Sequence, residues 1–179
     1  MFRTVRAALV AAVLTLVAVV VPVGPATAAA SCSTSSSQAI VGGYRVIIRC
    51  GDAGYIHGFG RTLSDANLEA LRLYQLYLTY GVSCRGSLVD SLVGGFDVQI
   101  YCPGSYTNGF GSNLTDAAAE ARELVTMRLS GGPDCDGTTV AAIVGGYRVT
   151  LFCTVRYVRG QGSTLTEAAQ IARFTAALG

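Results

Sequence analysis

The chain of 179 residues contains no lysine, and His57 is its single histidine. Without lysine, the recurring Gly-x-Gly segments cannot complete a phosphate-binding P-loop. With one imidazole, a histidine-based active site could exist at only one place along the chain. The lack of lysine, together with abundant alanine, glycine, valine and arginine, is typical of a protein encoded by a GC-rich bacterial genome.

An excess of positive charge is also missing. Two of the thirteen arginines, Arg3 and Arg6, lie within the first thirty residues, and the remaining eleven balance the eleven aspartates and glutamates. Binding to nucleic acid or to an anionic membrane generally needs a basic excess. We therefore expect no nucleic-acid partner.

The first thirty residues have the three zones of a secretory signal peptide. Arg3 and Arg6 precede the apolar run from Ala7 to Val21, and small residues at 26–30 offer a cleavage site. The alternative is a membrane anchor, but the run is shorter than the ~20 residues that span a bilayer, and Pro22 follows it. We predict that residues 1–30 are removed, that the chain is secreted, and that no membrane segment remains after cleavage.

Six cysteines form three pairs with the same spacing of 18 residues. An even number of cysteines behind a signal peptide indicates disulfides in an oxidising compartment. Only one pairing repeats in all three copies, and it joins Cys32 to Cys50, Cys84 to Cys102, and Cys135 to Cys153. Zinc is the rival interpretation, but this spacing does not match zinc-ligand pairs. We expect no metal and no cofactor.

The cysteine pairs mark an internal triplication with a period of 51 to 52 residues. Repeat 1 covers residues 31–82, repeat 2 covers 83–133 and repeat 3 covers 134–179. Each copy predicts a three-stranded antiparallel sheet with one helix packed on it, which makes an α+β fold. Short connections between the copies favour packed modules, although separate units and one pseudo-threefold body both stay open.

Strict alternation of apolar residues predicts the second strand of each repeat. Val46, Ile48 and Cys50 point to one side in repeat 1, and their equivalents are nearly unchanged in the other copies. A tight turn at Gly42-Gly43 would not align the two cysteines. We therefore expect the disulfide to tie the chain before the first strand to the end of the second strand, rather than to join facing residues.

The helix of each repeat begins near a hydroxyl residue followed by an acid. The pairs Ser64-Asp65, Thr115-Asp116 and Thr166-Glu167 predict the N-caps, and Gly81 and Gly131 predict the ends of the first two helices. Alanines in the apolar stripe indicate a helix that lies close to its sheet.

The outward residues of the second strand differ between copies, which indicates a surface that contacts solvent or a partner. The candidate interaction face comprises Arg45, Arg49, Asp97, Tyr101, Arg148 and Phe152. The sequence predicts no catalytic residues and hence no enzyme. We expect an extracellular module that binds a protein or a glycan, or an inhibitor that presents the loops at 51–54, 103–105 and 154–156. A structural envelope protein and, less favoured, a secreted enzyme using His57 are the alternatives.

The order of two strands, Gly-x-Gly-x-Ser/Thr and an alanine-rich helix resembles the second half of a double-stranded RNA-binding domain, over about thirty-five residues per repeat. That family grips phosphates with lysines at the start of the helix. This chain has acids there and no lysine. The resemblance therefore implies an arrangement of sheet and helix, and no function.

Overall fold

The computed structural model describes residues 32–179, so the predicted signal peptide lies outside the described residues. The chain repeats the order strand, strand, strand, helix three times. Repeat 1 contains β1 (Cys32–Ile40), β2 (Gly43–Cys50), β3 (Gly54–Gly60) and α1 (Leu63–Tyr80). Repeat 2 contains β4 (Arg85–Leu92), β5 (Gly95–Cys102), β6 (Ser105–Gly111) and α2 (Leu114–Leu129). Repeat 3 contains β7 (Cys135–Ile143), β8 (Gly146–Cys153), β9 (Arg156–Gly162) and α3 (Leu165–Ala177).

Each repeat forms its own antiparallel sheet with the second strand in the centre. This arrangement confirms the predicted α+β fold. The three predicted disulfides, Cys32–Cys50, Cys84–Cys102 and Cys135–Cys153, are all present, and no cysteine of the described part of the chain is free.

The predicted position of the disulfides within the sheet was wrong in repeats 1 and 3, whereas in repeat 2 Cys84 directly precedes β4 and is joined to Cys102 at the end of β5, as predicted. Cys32 faces Cys50 directly across β1 and β2, and Cys135 faces Cys153 in the same way. Two features change the register. Ile40 pairs with Gly43, so the turn lies at Val41-Gly42 and not at Gly42-Gly43, and a bulge between Thr34 and Ser36 adds one residue.

Small residues allow each helix to lie directly on the third strand of its sheet. Gly58, Gly109 and Gly160 face the alanines Ala70, Ala121 and Ala172. A methyl group on Gly109 would overlap the backbone of Ala121. The close approach confirms the prediction from the alanine-rich stripe, and it buries the inward residues of the central strands, such as Val98 and Ile100.

The helix caps lie two residues earlier than predicted. Thr62, Asn113 and Thr164 are the N-caps, and the side chain of each accepts a hydrogen bond from the backbone of the acid three residues later. In α1, Asp65 accepts in return from the backbone N–H of Thr62, which completes a capping box. Ser64 and its equivalents are therefore inside the helices, which frees their hydroxyl groups for other contacts.

Two of these hydroxyl groups bind the preceding repeat. Thr115 accepts a hydrogen bond of 2.9 Å from the backbone N–H of Arg61 and donates to Asp65 over 3.1 Å. Thr166 likewise accepts from Ser112 over 2.9 Å and donates to Asp116 over 2.8 Å. The same junction is thus used twice along the chain.

Buried ion pairs occupy a second position of each junction. Nε of Arg122 lies 3.1 Å from the carboxylate of Glu69, and Nε of Arg173 lies 2.9 Å from that of Glu120. Burial raises the pKa of both glutamates, while the arginines oppose this shift. Each carboxylate depends on its partner, because an unpaired charge in such a site is costly.

Aromatic rings fill the rest of the two junctions. Phe96 packs on Gly42 and Tyr147 packs on Gly94, where a side chain would collide with the ring. In the same way, Phe59 packs against Gly86, and Phe110 packs against Gly137. The three repeats therefore form a continuous row, with repeat 2 in the middle, rather than separate units.

Replacement of Gly109 by alanine tests the close approach of helix and strand. We expect the Gly109→Ala variant to lose about 2 kcal/mol of unfolding free energy, because the added methyl group meets backbone atoms that cannot move aside. Urea unfolding measures the loss. The control is Ser91→Ala, an exposed strand residue of the same sheet, and equal stability of the two variants would contradict the packing described.

The junction between repeats 2 and 3 predicts different effects for single and paired substitutions. Arg173→Ala leaves Glu120 buried without its partner, so we expect a loss of about 2 kcal/mol. The double variant Glu120→Ile, Arg173→Leu replaces the ion pair by an apolar pair and should recover most of this loss. Thermal unfolding measures the stability of both variants. A double variant less stable than the single one would refute the proposed contact.

Candidate interaction face

The outer side of each sheet carries one cross-strand pair beside its disulfide. Arg49 faces Tyr55, Tyr101 faces Tyr106, and Phe152 faces Tyr157. Each pair lies outside because side chains alternate along a strand and the adjacent cysteine points into the core. We call these six residues the aromatic face.

The members of each pair are in contact with one another. The Arg49 guanidinium lies 5.9 Å from the centre of the Tyr55 ring. The ring centres of Tyr101 and Tyr106 are 4.9 Å apart, and those of Phe152 and Tyr157 are 5.1 Å apart, both pairs with tilted rings. Such arrangements are favourable for aromatic and cation–π pairs, so the rings are held in place before any partner binds.

The tyrosines of the aromatic face remain open to solvent. Tyr55 is 53% exposed, Tyr106 is 57% exposed and Tyr157 is 66% exposed. A tyrosine stands at this position in every copy of the sequence, but it is not among the residues predicted for the candidate interaction face. Its recurrence on an exposed strand was the signal that could have identified it, whereas the predicted residues Arg49, Tyr101 and Phe152 do lie on this face.

The other predicted residues, Arg45, Asp97 and Arg148, lie farther from the disulfides on the same side of the sheets. Arg45 lines a groove of about 390 Å³ between repeats 1 and 2. Asp97 lines the equivalent groove of about 250 Å³ between repeats 2 and 3. The structure therefore places three of the predicted residues on the aromatic face and two in the junction grooves, and Arg148 lines neither groove, so the six do not form one site.

The two grooves differ in charge. Arg45 donates a hydrogen bond of 2.7 Å to the side chain of Gln38. Asp97 instead faces Asp90 across the strands. Burial raises the pKa of Asp97 to about 7, and the negative charges of Asp90 and Asp136 add to this shift. The first groove is thus basic, and the second carries a carboxyl group that titrates near neutral pH.

His57 lies on β3, half-buried, beside the first groove. Burial lowers its pKa first, and the positive charges of Arg45 and Arg85 lower it further. The lowered pKa favours the neutral form of its side chain. The equivalent residues are Asn108 and Arg159, so the surroundings of His57 are not repeated in the other copies.

Two further findings concern residues 32–179 alone. Within this range, no three His, Cys, Asp or Glu side chains converge in a way that could hold a metal ion. None of the helices described has the length and apolar character needed to cross a membrane.

The raised pKa of Asp97 predicts that pH affects stability. An acid with a raised pKa in the folded state stays protonated while the unfolded chain ionises, so stability falls as the pH rises from about 4 to about 7. We expect Asp97→Asn to be more stable than the wild type at pH 8, with a gain that shrinks as the pH falls toward 4. Melting temperatures measured across this range check the prediction, and a gain independent of pH would contradict it.

No protein-family model matches the chain, and no curated protein matches it significantly. The structure of residues 32–179 shows a row of three small repeats, each with its own disulfide. Disulfides of this kind suggest an oxidising, extracellular environment. This organisation is compatible with an extracellular module.

Proposed function

We propose that the chain is a secreted binding module that contacts an extracellular protein through the aromatic face. The observation that carries the proposal is the exposed tyrosine held at the same position in all three repeats. The predicted signal peptide at 1–30 and the three disulfides support an extracellular location.

The chemistry of the aromatic face suits a protein partner. Tyrosine, phenylalanine and arginine are enriched in protein interfaces, and tyrosine and arginine often supply most of the binding energy. A tyrosine offers a large contact area with few rotatable bonds. The second strand of each sheet is tied by a disulfide, and it pairs in register with the third strand, which carries the tyrosine. Little order therefore has to be gained on binding.

The threefold repetition of the face adds a second advantage. A partner with repeated features could engage two or three pairs at once, which raises the overall affinity without any new type of contact. The differences between Arg49, Tyr101 and Phe152 on a shared backbone would allow the three positions to prefer different features of one partner.

The aromatic face is a better contact site than the predicted inhibitor loops. Only Pro103 and Gly104 separate β5 from β6, and only Thr154 and Val155 separate β8 from β9. Turns of two residues offer no extended segment that could enter the cleft of a protease. The proposal assigns no catalytic role to His57, and His57→Ala should leave binding unchanged.

The test compares two triple variants with the wild type. In the first, Tyr55, Tyr106 and Tyr157 are replaced by serine. In the control, the exposed turn residues Val41, Val93 and Val144 are replaced by serine. Proteins are captured from the culture medium and cell surface of the producing organism, and the affinity for each captured protein is then measured by calorimetry.

We expect a protein that binds the wild type and the valine variant alike, and that binds the tyrosine variant at least about tenfold more weakly. A glycan array is probed in parallel. Equal binding by the two triple variants would refute the role of the aromatic face. Binding to glycans alone, with the same loss in the tyrosine variant, would keep the face and overturn the choice of a protein partner.

A further inference from the structure

The row of repeats has two ends at which the junction surfaces have no partner among the described residues. Repeat 1 exposes the surface by which repeats 2 and 3 contact their predecessors. Repeat 3 exposes the surface by which repeats 1 and 2 contact their successors. Terminal units of repeat proteins usually carry a polar outer side that keeps the molecule soluble, so the chemistry of these two ends is informative.

The end at repeat 1 is concave and exposes a leucine at the start of its helix. Leu63 is 48% exposed, whereas its equivalents Leu114 and Leu165 are fully buried at the two junctions. A groove of about 360 Å³ lies beside it, lined by Thr34, Ser37, Val46, Leu63, Ser64 and Asn67. The helical side of this end therefore resembles an unoccupied junction, whereas its sheet side is polar, because Ser37 stands where the other repeats have Val89 and Val140.

The helical side of the end at repeat 3 is also apolar. Ile171 and Phe174 are exposed on α3, and Leu178 is exposed directly after it. Gly145, whose equivalents Gly42 and Gly94 are covered by aromatic rings, has no atom of the described chain within 4 Å of the position that a side chain would take. The helical sides of both ends thus expose apolar residues, whereas the edge strands β1, with Thr34 and Ser37, and β9, with Arg156 and Arg159, expose polar ones.

At the two ends of the row, apolar residues replace both members of the ion pair. The internal junctions pair Glu69 with Arg122 and Glu120 with Arg173. In repeat 3, the position of the glutamate is occupied by Ile171, and in repeat 1 the position of the arginine is occupied by Leu71. If the two ends met as the internal repeats do, an apolar pair would replace the ion pair and no charge would be buried alone.

The positions of the rings are matched as well. At the tip of the sheet, Tyr44 of repeat 1 is exposed and corresponds to Phe96 and Tyr147, which cover Gly42 and Gly94. It could cover Gly145 in the same manner. Inside the row, Phe59 and Phe110 pack against glycines of the next repeat. At the end of repeat 3, Gln161 replaces the phenylalanine and is smaller and polar, and at the end of repeat 1, Thr34 replaces the glycine and is larger.

One internal contact is not carried over. The backbone N–H of Ser163 corresponds to those of Arg61 and Ser112, which bind a threonine of the next repeat. It already donates to Glu167 over 2.9 Å. Ser64, which corresponds to these threonines, is therefore not expected to accept a hydrogen bond from Ser163 if the two ends meet.

From these matched changes we propose that the two ends bind each other between molecules, so that repeat 3 of one copy packs on repeat 1 of the next. The joint reuses the internal junction geometry, with Ile171 against Leu71 and Gly145 against Tyr44. A contact between two different surfaces of the same chain forms a ring if the rotation closes and a filament if it does not. This inference is independent of the proposed binding function.

Charge substitutions at the apolar pair test the joint. The purified protein, with its N-terminus established by mass spectrometry, is studied by sedimentation velocity across about three decades of concentration. The variants are Leu71→Arg and Ile171→Glu, alone and mixed. Pro103→Arg is the control for Leu71→Arg, because it also adds an arginine, but at an exposed turn of the middle repeat.

We expect the wild type and Pro103→Arg to associate equally as the concentration rises. Association should persist at high salt, because the joint is apolar. Each single variant should associate at least roughly tenfold more weakly, since it would bury an unpaired charge. Mixing the two variants should restore association, because every joint between unlike copies is then matched. The introduced arginine meets the introduced glutamate at one joint, and Ile171 meets Leu71 at the other.

Three outcomes would overturn the proposal. The first is a wild type that stays monomeric at every concentration. The second is association of the single variants at wild-type strength. The third is a failure of the mixed variants to recover, which would indicate a different contact between copies. Circular dichroism shows whether each variant has kept its fold.

Discussion

The contact between a glycine on the third strand and an alanine on the helix sets the geometry of every repeat. Gly58, Gly109 and Gly160 leave no room for a side chain beneath the helix. This closeness places the start of each helix beside the end of the third strand. There the acid at the third helical position can serve its own N-cap and, in repeats 1 and 2, the threonine of the next repeat. The junctions between repeats therefore depend on packing within each repeat.

The fold separates a constant interior from a variable exterior. Val46, Val98 and Val149 occupy the same buried position in the three sheets, while the outward residues beside the cysteines are an arginine, a tyrosine and a phenylalanine. Because these outward residues contribute little to the core, they can change without loss of the fold. The recurring tyrosine opposite them is the exception, because it is the same in all three copies although its side chain is exposed.

The features that could be predicted from the sequence are those that follow a period of a few residues or that recur in all three repeats. Alternation predicted the strands, the alanine stripe predicted the helix packing, and equal cysteine spacing predicted the disulfides. The register was missed because it depends on where the turn and the bulge fall, and two adjacent glycines allow more than one turn. The N-caps were misplaced because Thr62 and Ser64 are both good capping residues, and only the contact of Thr115 with Asp65 shows that the second position serves a neighbour. The partners of Arg49, Tyr101 and Phe152 were missed because they depend on the register between the second and third strands, which is set by the variable loop after each second cysteine.

The two internal junctions also determine the order in which the repeats can follow one another. Repeat 2 carries Arg122 toward its predecessor and Glu120 toward its successor. A duplicated middle repeat would therefore find matching partners on both sides, so the row could lengthen by whole units during evolution. A copy of repeat 1 placed after repeat 2 would instead set Leu71 against a buried glutamate. Further copies of repeat 2 can therefore be inserted into the row, whereas repeats 1 and 3 cannot exchange places.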